Sequence, residues 1–246
     1  MALSEQNLGR TGQFASTHWS LVLRAADSQA SHSTEALEQL CAAYWYPLYA
    51  FVRASGHGAE EARDLTQEFF ARLLEKKWLA DADPQRGRFR TFLLTAMKHF
   101  LTNEWHRTQT AKRGGGCESI ALDALDAEER YALEPRDNAT PEALFQRRWA
   151  ATLIARGQDR LRDEMIAVGE GEQFAALEPA LAGERTAQGY QEIAARFGVT
   201  ENTVKSWVLR LRRRFRILLL DEIAQTLSEG QNPEDELPEL LAALGG

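Results

Sequence analysis

The sequence predicts an all-α fold of two small helical domains joined by an acidic flexible linker, the second domain containing a helix-turn-helix. Apolar residues recur at spacings of three and four along most of the chain, and alternating strand-like runs are absent. From Glu118 to about Thr140 that periodicity stops; the stretch is acidic, poor in large apolar residues and interrupted by Pro135. Near the far end, YQEIAARFGVTENTVKSWVLRLRRRFR (190–216) sets a glycine-valine-threonine corner between two amphipathic helices.

Residues 1–13 read as an arm, 14–113 as the first domain, 114–140 as the linker, 141–220 as the second domain and 221–246 as a C-terminal extension. In the first domain Trp19, Leu21 and Leu23, then Leu37, Leu40, Tyr44, Leu48 and Phe51, carry the helical spacing. Pro47 lies inside the second run, so a kink or break is expected there. Gly56-His57-Gly58 punctuates, and a helix from about Ala59 to Lys77 follows. The turn-rich DADPQRGR (81–88) leads to another, from about Phe89 to Thr108, and Arg113-Gly114-Gly115-Gly116 closes the domain. A short helix is expected near Leu122–Tyr131 inside the linker. Thr140-Pro141-Glu142 then combines a hydroxyl N-cap, a proline in the first turn and an acid beside the helix dipole. The helix it starts should reach about Val168, with another from about Gln173 to Leu181.

Composition narrows the class. The chain has 246 residues, 44% hydrophobic and 26% charged, an ordinary composition for one or two compact domains. No apolar run approaches the roughly 20 residues of a membrane helix. The N-terminus lacks the basic-then-apolar order of a secretory signal. Cys41 and Cys117 have no paired spacing and no nearby His, so a reduced cytoplasmic protein without metal or cofactor is expected. The net charge of −7 hides a strong segregation: Arg185, Arg196, Lys205, Arg210, Arg212, Arg213, Arg214 and Arg216 stand against only Glu192 and Glu201 over 185–216. Such a face binds phosphates whatever the total, because charges beyond about 10 Å are screened at physiological salt.

Within that basic stretch, Gln191 to Phe197 is a short helix presenting Ile193, Ala194 and Phe197 inward. Gly198 ends it, Val199 plugs the corner and Thr200 caps the next helix. There Val204, Val208, Leu211, Phe215 and Leu218 form the buried stripe. Candidate DNA contacts are Thr200, Asn202, Thr203, Lys205, Ser206, Arg210, Arg213 and Arg214. A solvated basic helix is the competing reading; Ala194 at the crossing, Gly198 at the turn and the threonine cap weigh against it. The pattern specifies DNA binding but not role, since repressors, activators and initiation factors all use it.

The first domain discriminates among these. Asp64-Leu65-Thr66-Gln67-Glu68-Phe69-Phe70 sets Leu65, Phe69 and Leu73 on an apolar stripe, with Phe70 and Leu74 beside it. Asp64, Gln67 and Glu68 cluster opposite, as a compact acidic and amide surface. RGRFRTF (86–92) then leads into LLTAMKHFLTNEWHRTQTAKR, where bases alternate with aromatics, a composition suited to phosphate contact and stacking of unpaired bases. Phe92, Leu93, Ala96, Met97 and Phe100 fit a core stripe. Arg88, Lys98, His99, Asn103, Trp105, His106 and Arg107 are the candidate nucleic-acid contacts.

In AYWYPLYAFVR (43–53), DLTQEFF (64–70), PQRGRFRTFLLTAMKHFLTNEW (84–105) and the 190–216 stretch, taken in order, the chain resembles the bacterial RNA polymerase sigma factors of the extracytoplasmic-function (ECF) type. The resemblance covers roughly 14–113 and 141–220. It implies that Asp64, Gln67 and Glu68 dock on the clamp helices of the polymerase large subunit. It further implies that the basic aromatic helix recognises and helps melt the promoter −10 element, and that the helix-turn-helix binds the −35 element. Core RNA polymerase and promoter DNA are the implied partners, with an anti-sigma factor or a Ser/Thr kinase as candidate regulators.

Some positions depart from the family pattern. Arg63 replaces an acid usual before the DLxQE run, and Trp207 replaces a base usual in the recognition helix. The less acidic docking surface makes Thr66 a candidate phosphorylation position, where a phosphate would add about −1.5 to −2 charges. The extension after Leu220 is long for the family, and Leu237, Leu240, Leu241 and Leu244 fit a short amphipathic helix. An ordinary helix-turn-helix repressor or activator with an N-terminal sensing domain is the alternative, but it has no need of RGRFRTF. No metal-type carboxylate cluster, nucleophile-histidine constellation or phosphate-binding glycine loop argues for an enzyme.

Overall fold

The structure is a computed structural model that describes residues 33–74, 88–110, 124–132, 139–181, 187–227 and 230–245. Among these the elements are helical: α1 (Ser33–Ala54), α2 (Ala59–Leu74), α3 (Phe89–Thr110), α4 (Ala124–Ala132), α5 (Pro141–Ala167), α6 (Gly171–Leu177), α7 (Ala187–Phe197), α8 (Glu201–Gln225) and α9 (Pro233–Gly245). A 3₁₀ turn, Glu178–Ala180, follows α6. Trp19, Leu21, Leu23 and the 81–87 loop lie outside the described residues.

Local signals explain most boundaries. Thr140 caps α5 by accepting from the Ala143 amide at 3.2 Å, with Pro141 at the first helical position. Thr200 caps α8 in the same way through the Thr203 amide, also at 3.2 Å. Helix α1 continues through Pro47 without the break its ring would favour. Tertiary packing wins over local preference here: Tyr44, Leu48, Tyr49 and Phe51, on both sides of the proline, are buried in the core.

The two halves expected from the sequence pack on each other. Helix α1 lies against both α2 and α5, and α5 in turn packs on α8 and α9. One apolar cluster joins Tyr44, Leu48, Phe69, Phe89, Met97 and Phe100 to Phe145, Trp149, Leu153, Ile223 and Leu240. A second cluster joins Leu161, Phe174, Leu177, Ala194, Val204, Val208, Leu211 and Leu218, and Phe215 packs against both. Gly157 lets α5 and α8 approach closely, since a Cβ there would stand 3.2 Å from the Phe215 ring. Arg156 and Arg160 of α5 hold the buried Glu222 of α8 at 2.8 and 2.7 Å. Within the linker region, α4 is fixed to α1 by Arg53, which forks Glu128 at 3.0 and 2.8 Å while lying 4.7 Å over the Tyr131 ring.

Candidate nucleic-acid interface

Helices α7 and α8 meet at a tight corner. Gly198 takes φ 65°, and the Val199 and Gly198 amides donate back to the Ala194 and Ala195 carbonyls at 3.0 and 3.4 Å. This closure satisfies the last carbonyls of α7 and needs a residue free to enter the left-handed region. Val204, Val208, Leu211 and Leu218 are buried, as the spacing predicts. Asn202, Lys205, Ser206, Arg210 and Arg213 are exposed on α8, with Thr200 exposed at its cap and Thr203 half-buried. Arg210 and Arg213 form no ion pair with another described residue, and Lys205 reaches only Glu201, at 3.9 Å. Trp207 turns inward, edge-on to Phe197 at 5.9 Å and packed against the second cluster. It serves the core where the family pattern has a base.

Other bases of the same helix are spent inside the molecule. Arg214, expected on the DNA face, forks Glu164 of α5 at 2.7 and 2.6 Å. That hydrogen-bonded pairing holds the Glu164 carboxyl below its usual range and raises the guanidinium. Arg212 donates to the Ala180 carbonyl, at 3.1 Å from Nε. Arg216 forks Glu234 of α9, with Nη1 at 2.8 Å from Oε1.

Helix α3 shows a similar division. Phe89, Leu93, Met97 and Phe100 are buried, and Phe92 packs half-buried against the same core. Lys98, His99, Asn103, Trp105, His106 and Arg107 are all exposed. Trp105 is 58% exposed and meets the His106 ring edge-on at 4.9 Å, so it is a surface side chain and not a core one. Lys98 pairs with Glu142 at 2.6 Å, which lowers the Glu142 pKa. Arg88 departs from its expected company. It lies before α3 and turns to α9, pairing with Glu236 at 2.5 Å and with Glu239 at 3.0 Å.

On α2, Asp64 is exposed, while Gln67 and Glu68 are half-buried. Glu68 belongs to a charge network that the sequence did not reveal. Arg72 bridges Glu68 at 2.5 Å and the buried Glu104 of α3 at 2.8 Å, and Arg107 lies 3.4 Å from Glu104 and 3.8 Å from Glu68. The network ties the acidic face of α2 to the exposed face of α3. Thr66 overturns its expected accessibility: it is fully buried, and its hydroxyl donates to the Ala62 carbonyl at 2.7 Å. A kinase cannot reach it in this fold, and a phosphate there would have to be desolvated against Phe69 and Phe70. Its spacing to Ala62, Phe70 and Leu73 carried the signal, since those positions share one helix face. Arg63 points its charge toward the linker helix, where it helps Arg53 lower the Glu128 pKa.

A capped helix with an exposed amide, hydroxyl and basic edge, beside a second helix with a basic aromatic face, defines a DNA-binding protein. The chain belongs to the ECF sigma factor family, whose model matches residues 33–221. It is therefore a sigma factor acting in transcription initiation, in a family whose partners are core RNA polymerase and promoter DNA. Helix α9 lies beyond the matched residues. No curated protein and no solved structure matches the chain. Among the described residues no helix is long and apolar enough to cross a membrane.

Proposed function

We propose that the chain is a non-catalytic, cytoplasmic initiation subunit that docks on core polymerase through α2 and reads −10 and −35 elements with α3 and α8. The observation that carries the DNA part is the exposed edge of α8. There Asn202, Lys205, Ser206, Arg210 and Arg213 face solvent behind a capped N-terminus, the end that leads into a major groove. For the −10 element the support is the exposed row Lys98, His99, Asn103, Trp105, His106 and Arg107, which offers charge for phosphates and an indole for an unstacked base. For docking, Asp64 supplies an exposed carboxylate, with Gln67 and Glu68 beside it. An anti-sigma factor remains the family's usual regulator.

The test is reconstitution. Purified chain added to core polymerase should give initiation from a defined set of promoters, and Lys205→Ala with Arg210→Ala should abolish the dependence on the upstream element. A chain that binds promoter DNA yet adds no initiation to core polymerase would instead be an ordinary helix-turn-helix regulator.

A further inference from the structure

Helix α9 makes contacts that neither the exposed edge of α8 nor the family match accounts for. It packs on α5 and α8, burying Leu240 and half-burying Leu237 and Leu244. Its carboxylates meet arginines from both halves of the molecule. Glu236 and Glu239 take Arg88 and Arg90 at the start of α3, and Glu234 takes Arg216 of α8. We infer that α9 is an internal mimic of a nucleic-acid backbone, holding the chain closed by occupying Arg88, Arg90 and Arg216 with carboxylates until phosphates replace them. The inference rests on the proposed DNA role of α3 and α8.

The chemistry of exchange favours phosphates. The Arg216–Glu234 pair is about half exposed on both sides, and the Glu239 side chain is 55% exposed. Exposed pairs of this kind hold weakly, and a duplex gains further by releasing its condensed counterions. The buried contact is imperfect as well. Arg90 Nη2 lies 2.8 Å from Glu236 Oε2 but off hydrogen-bonding geometry, which leaves that oxygen without a hydrogen bond, and the other terminal nitrogen, Nη1, has none either. A buried polar atom that lacks a hydrogen bond is a cost that exposure to water relieves, even within an ion pair. Beside the pair lies an open cleft of about 700 Å³ lined by Arg88, Arg90, Arg147, Trp149 and Glu239, so water reaches this edge of the α9 contact. Finally, a helix of 13 residues with Pro238 inside it has little stability of its own once detached.

Two readouts decide the matter. The first is affinity for a non-promoter DNA duplex, which reads phosphate contacts without requiring promoter recognition. Glu234→Gln with Glu239→Gln, both at exposed positions, should leave the helical circular dichroism and thermal midpoint nearly unchanged. It should tighten binding at least about five-fold at low salt and steepen the salt dependence by about one, for Arg216, since Glu236 still holds Arg88 and Arg90. The second is amide hydrogen exchange of the unsubstituted chain, in which adding duplex should accelerate exchange across residues 233–245. Unchanged affinity in the folded variant, or unaltered exchange with duplex bound, overturns the inference. Promoter-specific initiation is scored separately with core polymerase, so its absence speaks against the proposed function alone.

Discussion

At the start of α3, Arg88 and Arg90 face carboxylates of their own chain, whereas along the edge of α8, Lys205, Arg210 and Arg213 face water. Both stretches are rich in arginine and both follow a glycine in the sequence, Gly87 and Gly198, so their sequences look alike. Their energetics differ. Arg90 is 4% exposed, lies 4.3 Å over the Trp149 ring and faces a buried glutamate, so it belongs to the seam between the halves. Arg213 is solvated and costs nothing to redirect. A basic residue becomes a basic surface only where it is not buried against a carboxylate of the fold.

The largest expected effect breaks the first member of that comparison. Arg90→Ala leaves Glu236 buried with only Arg88 beside it, and should cost about 3 kcal/mol in urea denaturation, the low end for a broken buried pair. Arg90→Met combined with Glu236→Leu should recover most of that loss, because two apolar side chains avoid the desolvation of two charges. If Arg90→Ala is as stable as Arg213→Ala, the seam does not depend on this pair.

On the exposed side the expected signs reverse. Lys205→Ala or Arg210→Ala should change stability by less than about 0.5 kcal/mol. Each should weaken promoter binding, by roughly 1–3 kcal/mol at one base position for a base contact, or by a salt slope smaller by about one for a phosphate contact. Arg214→Ala is the control that sharpens the contrast. Tied to Glu164, Arg214 should affect stability more than affinity.

A smaller effect is expected at Trp105. Its alanine variant should fold normally and form the closed complex, but open promoters more slowly, since stacking of one base on an aromatic ring is worth about 1–3 kcal/mol. Normal permanganate reactivity of the melted bases in that variant would rule out a stacking role. The smallest effect on the fold belongs to Asp64→Ala, an exposed change of less than about 0.5 kcal/mol that should nonetheless weaken binding to core polymerase. Glu68→Ala should in addition loosen the Arg72–Glu104–Arg107 network and be visible in α3.

Local chemistry made much of this legible in the sequence. Thr140-Pro141 and Gly198 with Thr200 fix helix ends through their own hydrogen bonds, and the spacing of Val204, Val208 and Leu211 reports which face is buried. Three features were hidden for physical reasons. Pro47 is carried through α1 by packing that no local rule contains. The partners of Arg88 lie about 150 residues away, and separation in sequence says nothing about which carboxylate will be close. Thr66 lies between Asp64 and Glu68 in a helix expected to face a partner, yet a hydroxyl that donates to the preceding turn is readily buried.

The seam between α1 and α5 has a calorimetric consequence. Tyr44, Leu48, Phe145 and Trp149 are all shielded from water there. Any partner that parts α1 from α5 must wet part of this surface, and hydrating apolar area raises the heat capacity. If assembly on polymerase parts them, it should carry a heat-capacity change less negative than the new contacts alone would give. The enthalpy of assembly measured at several temperatures would thus report how far the two halves have parted.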